Sequence, residues 1–401
     1  MSVLSSGLTV SLPTVRVNRK AADRVHSGHP WIFASDVIDT GSAEPGAAVR
    51  VVDHRGRALG SAHYSSTSQI SLRLLSSQVE NIDEGFLFAR MRAALRFRER
   101  IVSGSNAYRL IHAEGDLLPG LIVDRYGDWL VAQLLDQGMD RQTAEVVGAL
   151  TKLLAPNGIV GRNDVPVRLK ENLPLTAGML SGEAPERVEI QMNGLRLYAD
   201  LLGGQKTGIF LDQRENYLAA RGYASRYGRG RALDCFTGSG GFALHLAGVC
   251  DSVEAVDSST AALKTGESNA EANGLENITW REANVLDYLP SLVSARRVFD
   301  LVVIDPPAFS KSRSAMEGAV RGYKEINLRA LRLLERGGIL VSCSCSHHMS
   351  EAELLGVIAG AALDCGKQLR VLERRTQSQD HPILLTVPET HYLKCLVFEV
   401  L

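Results

Sequence analysis

Three stretches in the C-terminal half of the chain carry residue types able to do chemistry. The first is Ser344-Cys345-Ser346. A thiolate attacks electron-poor carbon well, but with an ordinary pKa near 8.5 only a few per cent of a thiol is ionised at pH 7, so neighbours must relieve roughly 2 kcal/mol. His347, two residues on, is a candidate activator. The second stretch is Asp305-Pro306-Pro307-Ala308-Phe309, a carboxylate followed by a rigid turn. The third runs Asp234-Cys235-Phe236-Thr237-Gly238-Ser239-Gly240-Gly241-Phe242. Its missing side chains let backbone approach a ligand closely. Asp257 follows 23 residues after Asp234, at the end of the next apolar run, where a carboxylate can accept both hydroxyls of a ribose. The glycine spacing is not G-x-G-x-x-G, and no Gly-Lys-Ser/Thr follows. Pyrophosphate cradling is therefore disfavoured, and a nucleoside-containing cofactor of another kind is expected.

The elements that must position these residues read as an alternation of strands and helices. Residues 232–236, 253–257, 278–282, 299–305 and 339–344 have strand character, and 369–373 and 393–400 bring the number to seven. Such alternation predicts an α/β fold with a parallel, doubly wound sheet. Ligands of these sheets bind beyond the carboxyl ends of the strands, which puts 305–309 and 342–346 on one rim. Strand alternation places Cys343 and Cys345 on one face, with Cys345 nearer the ligand.

Upstream, short β-rich runs at 14–17, 48–52, 58–64 and 70–74 suggest a small barrel or sheet. Residues 84–102 have helical spacing and include Arg90, Arg92, Arg96, Arg98 and Arg100, read as a solvated helix face. Two strands between 111 and 135 meet at Tyr126-Gly127-Asp128, a helix follows near 141–154, and Asn193-Gly194 predicts a hairpin because both residues tolerate positive φ. The expected domains are 1–84 (β-rich), 85–187 (small α+β) and 188–401 (α/β).

The D-x-F-x-G-x-G-G-F run, the acid ending the second strand and the Asp-Pro-Pro ending the fourth together resemble class I S-adenosylmethionine methyltransferases with a Rossmann-like seven-stranded domain. That resemblance implies S-adenosyl-L-methionine as cofactor, with Gln213, Asp234, Phe236, Thr237, Gly238, Gly240 and Asp305 around it, Asp257 on its ribose and Asn284 on its adenine amine. Asn284 departs from the aspartate usual there. Arg214 is expected to close over the cofactor beside Gln213.

Over nearly the whole chain, the element order is similar to three-domain bacterial large-subunit ribosomal RNA cytosine-C5 methyltransferases. The motifs are His29-Pro30-Trp31, Tyr108-Arg109-Leu110, Leu118-Pro119-Gly120, Lys206-Thr207-Gly208, Leu211-Asp212-Gln213-Arg214, Arg321-Gly322-Tyr323-Lys324, Ser344-Cys345-Ser346 and His381-Pro382. The resemblance implies an N-terminal PUA-like RNA-binding domain, with His29, Trp31, Lys206 and Lys311 toward RNA. It also implies Cys345 as nucleophile on cytosine C6, Asp305 or His347 as candidates to remove the C5 proton, and a homodimer. Ala308 stands where that family commonly has lysine. Methylation of guanine N7 or another RNA position without a covalent adduct, and a non-catalytic RNA-binding assembly factor, are the rival readings.

Composition sets the bounds. The 401 residues exceed what one core usually serves, and 45% apolar with 22% charged content excludes disorder. The net charge of −1 excludes a histone-like polycation, although residues 1–100 hold 13 basic against 9 acidic residues. No apolar run approaches the roughly 18 residues of a membrane helix and no basic residue precedes Arg16, so a cytoplasmic location is expected. The six cysteines form no C-x-x-C pair, which predicts reduced thiols and no metal.

Overall fold

The computed structural model describes residues 12–204, 207–227, 230–309 and 316–401. Lys206 and Lys311 lie outside the described residues.

Among the described residues, the catalytic-half sheet has seven strands, in spatial order Ile278–Glu282, Ser252–Asp257, Arg231–Cys235, Phe299–Ile304, Leu334–Ser344, Lys394–Val400 and Leu369–Arg375. Arg231–Cys235 and Phe299–Ile304 are parallel neighbours, with Cys235 opposite Ile304. The chain order reverses between them, so the peptides that follow these two strands splay apart and leave a crevice. Strand 299–304 and residues 338–344 are almost wholly buried because helices cover both faces. The sheet departs from the all-parallel expectation in one strand. Lys394–Val400 inserts between Leu334–Ser344 and Leu369–Arg375 and runs antiparallel to both, pairing Ser344 with Lys394 and Cys343 with Cys395.

A six-stranded N-terminal sheet (order Trp31–Phe33, Ile70–Ser76, Ala58–Tyr64, Ala48–Val52, Thr14–Val17, Val37–Asp39) encloses its own core of Val15, Val49, Val51 and Leu72. The central sheet has five strands and begins earlier than the periodicity suggested, at Ala107–His112. It packs against helices Glu84–Ile101 and Thr143–Leu154. Arg98 does not belong to the solvated helix face: it is fully buried, paired with Asp116, and donates to the carbonyls of Arg109 (2.8 Å) and Asp380 (2.7 Å). Arg92, Arg96 and Arg100 do face solvent.

The hairpin Val188–Met192/Leu195–Ala199 turns at Asn193 (φ 55°) and Gly194 (φ 83°), as its dipeptide demands. Its inward residues share one core with Tyr126 and Val131 of the central sheet and with Phe242 and Leu244 of the α/β domain. The segment between the last two strands in sequence clamps all three sheets. Asp380 accepts from Arg109 N–H (2.8 Å) and Arg214 Nη2 (3.2 Å), and Thr386 Oγ1 donates to the Gly28 carbonyl (2.9 Å). No helix among the described residues is long and apolar enough to cross a membrane.

Candidate active site

The glycine turn leaves strand Arg231–Cys235 with three departures from ordinary backbone at alternate positions: Phe236 (φ 63°), Gly238 (φ 55°) and Gly240 (φ 88°). Positive φ in a bulky residue such as Phe236 is strained and persists only where the surroundings enforce it. The glycines are required by contact as well. A Cβ on Gly240 would stand 2.6 Å from the Trp280 ring, and one on Gly241 would stand 2.4 Å from Tyr217.

Two carboxylates hold this turn. Asp257 accepts Gly238 N–H and Ser259 N–H, both at 2.9 Å. Asp234 is fully buried, and its Oδ2 accepts Thr237 Oγ1 (2.5 Å) and Ala243 N–H (2.9 Å), while Oδ1 has no partner. Burial raises the Asp234 pKa, and the Thr237 and Ala243 hydrogen bonds oppose it; with Asp305 and Asp257 adding like charge, the value rests at about 7. A buried acceptor left open beside a glycine turn suits a ligand that brings a donor or a positive charge.

A cavity of about 280 Å³ opens at the strand ends. Gln213, Phe236, Thr237, Gly238, Asp257, Asp305 and Cys345 all line it. Asp234 and Gly240 are not among its lining residues. The structure does not bring Asn284 to it: that residue is exposed, and its Oδ1 accepts Leu286 N–H (3.0 Å) as the cap of helix Val285–Ser294. Arg214 does not line the cavity either; it is buried in its pair with Asp380. Gln213 Nε2 donates to Asp305 Oδ2 (3.0 Å), Gln213 Oε1 accepts Asn216 Nδ2 (2.6 Å), and Asn216 Oδ1 accepts Arg375 Nε (2.8 Å). This chain of side-chain bonds fixes the carboxylate at the end of strand Phe299–Ile304.

Cys343 and Cys345 differ in burial because the strand ends at Ser344, which leaves Cys345 just beyond it at the rim. Cys343 is fully buried against Cys395, and burial pushes its thiol pKa well up, whereas Cys345 is half-buried on the cavity wall. The serines on either side of Cys345 are pinned by one buried phenol, Tyr323 OH, at 2.8 Å from Ser344 Oγ and 3.2 Å from Ser346 Oγ.

The nearby cation is Lys394. It is 3% exposed and donates to the carbonyls of Ser346 (2.7 Å) and Tyr392 (3.0 Å). Burial lowers its pKa, and the charge of Cys345 is the largest effect holding it up. Sequence reasoning missed this residue, although a lysine inside the apolar run 393–400 was a visible signal. His347, expected as activator, turns its ring to Tyr392 (centroids 5.6 Å apart) and lines two adjoining cavities instead. Burial, then Lys394 and His348, lower its pKa, so the imidazole is neutral at pH 7. His29 and Trp31 lie away from the thiol: His29 Nε2 meets Glu389 (3.2 Å) and Trp31 Nε1 donates to Glu114 (2.8 Å).

Comparison with known proteins agrees with this architecture. Residues 15–77 match a PUA-like domain family, and residues 108–398 match the S-adenosylmethionine-dependent methyltransferase family. The chain is similar to the Ribosomal RNA large subunit methyltransferase I of Tolumonas auensis (42% identical over 380 residues, 92% of this chain and 94% of that protein). The protein of that name from Citrobacter koseri is 40% identical over 374 residues, 91% of this chain and 94% of its own length. A solved structure complexed with SAH shares the fold at TM-score 0.83 and 20% identity, covering 96% of this chain and all of that one. One from Streptococcus mutans does so at 0.82 and 21%, with the same coverage.

Proposed function

Because the chain belongs to the PUA-like, S-adenosylmethionine-dependent methyltransferase family that includes the Ribosomal RNA large subunit methyltransferase I proteins, we propose that it methylates C5 of a cytosine in large-subunit ribosomal RNA through a covalent adduct at Cys345. The observation that carries the proposal is that Cys345, Asp305 and Asp257 line one cavity.

The residues present fit the cofactor. The open Oδ1 of Asp234 and the glycine turn suit the methionine part, and Asp257 suits the ribose. When bound, S-adenosylmethionine supplies an electrophilic methyl group. The chain's own residues do the rest. Cytosine C5 is a weak nucleophile, so Cys345 adds to C6: a C–S bond forms and the electron pair moves to C5, which becomes enamine-like. Lys394 favours the thiolate that starts this step. After C5 has been alkylated, Asp305, oriented by Gln213, accepts the C5 proton, and the returning electron pair expels the thiolate. Holding donor and C5 in line at about 3 to 3.5 Å supplies a large part of the rate enhancement through orientation. The target base leaves its stack to enter the cavity, with His29 and Trp31 toward the RNA.

The test is Cys345→Ala assayed on ribosomal RNA from cells lacking the protein, with the product mapped by mass spectrometry. Methylation falls more than about a thousandfold, while calorimetry still registers S-adenosylmethionine binding. Retained turnover rejects the covalent route, and a methyl group on any atom other than cytosine C5 rejects the base assignment.

A further inference from the structure

A second cavity of about 390 Å³ lies where the three sheets meet, and Asp212 lines both it and the first. Its aromatic walls come from every part of the chain: Trp31 from the N-terminal sheet, His112 from the central sheet, and His347, His381 and Tyr392 from the α/β half. Its size falls within the roughly 300–1,000 Å³ of small-molecule sites.

The charge of the lining defines what it can take. Arg109 is the one Lys or Arg among the described residues of the wall, and both its Nε and Nη2 are held by Asp124 (2.7 and 2.9 Å). Glu114, Asp212 and Glu389 also line the cavity. A phosphate is therefore repelled rather than bound. His112 is neutral, because burial and then Arg109 push its pKa well down. The cavity is thus built for an uncharged planar ring.

The wall offers two polar atoms that make no hydrogen bond to the described residues. Gln133 and His112 are each 9% exposed. Gln133 Nε2 donates to the Arg162 carbonyl (3.0 Å), which fixes the amide and leaves Oε1 as an open acceptor. His112 Nδ1 faces Arg109 Nη1 (3.2 Å), which assigns the proton to Nε2 and leaves that nitrogen as an open donor. An acceptor and a donor between aromatic faces match the edge and the two faces of a nucleobase.

We propose that this cavity is a second base-binding subsite, holding an unstacked nucleotide next to the target base in the same strand. The proposal rests on the reading of the chain as an RNA methyltransferase. The adjacency follows from the shared wall: Asp212 borders both cavities, and His347 stands two residues beyond Cys345.

The experiment uses the full chain and a short transcript spanning the modified nucleotide, made intact and with an abasic residue at the neighbour on each side. At one neighbour, the abasic transcript loses roughly five- to a hundredfold in kcat/KM, the scale of one lost base stack. In Gln133→Ala, and separately in Trp31→Ala, the intact transcript loses activity through KM, and the additional abasic penalty shrinks toward none, while S-adenosylmethionine affinity is unchanged. Penalties that stay equal in wild type and both variants, or no penalty at either neighbour, overturn the subsite alone. Failure to methylate the intact transcript overturns the substrate reading and the subsite with it.

Discussion

Gln213 Nε2 donates to Asp305 Oδ2 across 3.0 Å, joining the segment ahead of the sheet to the end of its fourth strand. The bond holds Asp305 Oδ2 against the Gln213 amide. Replacing Gln213 by Leu keeps the bulk and removes both the donor to Asp305 and the acceptor for Asn216. Single-turnover methyl transfer is expected to slow about tenfold to a hundredfold, as misplacement of a reacting group does, with the melting temperature down by the equivalent of about 1–3 kcal/mol. An unchanged single-turnover rate would remove Gln213 from any positioning role.

Lys394 is the cation proposed to favour ionisation of Cys345. In Lys394→Met the buried charge is gone, so the thiolate loses its stabilisation and the alkylation of Cys345 by iodoacetamide at pH 7 slows several-fold, read by peptide mass. His347→Ala leaves the same rate within a factor of two or so, because that imidazole is neutral and turned to Tyr392. If the two variants exchange these behaviours, the assignment of the activating charge is wrong.

Asp234 gives the empty protein a pH-dependent stability. Its folded pKa of about 7 lies above its unfolded value near 4, so the folded state holds a proton that the unfolded state releases in between. Stability is therefore greatest at the acid end of that window and falls as pH rises from about 4 to about 7. Asp234→Asn, which mimics the protonated form, flattens this dependence in melting curves. A slope that persists in Asp234→Asn assigns the effect to other groups.

Asp380 works in the opposite sense. Burial disfavours its charge, but His381, Arg214 and the Arg109 N–H prevail and hold its pKa at about 2. Its contribution is present above about pH 4 and disappears as pH falls toward 2. Asp380→Asn leaves the buried Arg214 without its main counter-charge and is expected to destabilise the protein by about 3–5 kcal/mol, measured by urea unfolding at pH 7. A loss under about 1 kcal/mol would show that Glu215, also 3.2 Å from Arg214, suffices.

Much of the site could be read from the chain because its parts are locally determined. Glycines 238, 240 and 241 answer to backbone angles and close contacts, and Asn193-Gly194 answers to the turn between two strands. Strand alternation puts Cys343 and Cys345 on one face, and the later of the two, past the strand end, is the one at the cavity.

What the sequence by itself determined, then, was the inventory of chemistry and the face each residue takes: an acid-flanked glycine turn, a carboxylate before two prolines, and a thiol at a strand end. Which residues meet was decided by tertiary structure alone. Asn284 turned to capping its own helix, and Arg98 was drawn into the interior by Asp116 and the Asp380 carbonyl. Lys394 reached the thiol because the last strand enters antiparallel and sets it opposite Ser344, and Gln213 reached Asp305 across 92 residues of chain. The physical reason is that hydrophobic period fixes a side chain's face, while neighbours across a sheet depend on strand order and direction, which only the packed core selects.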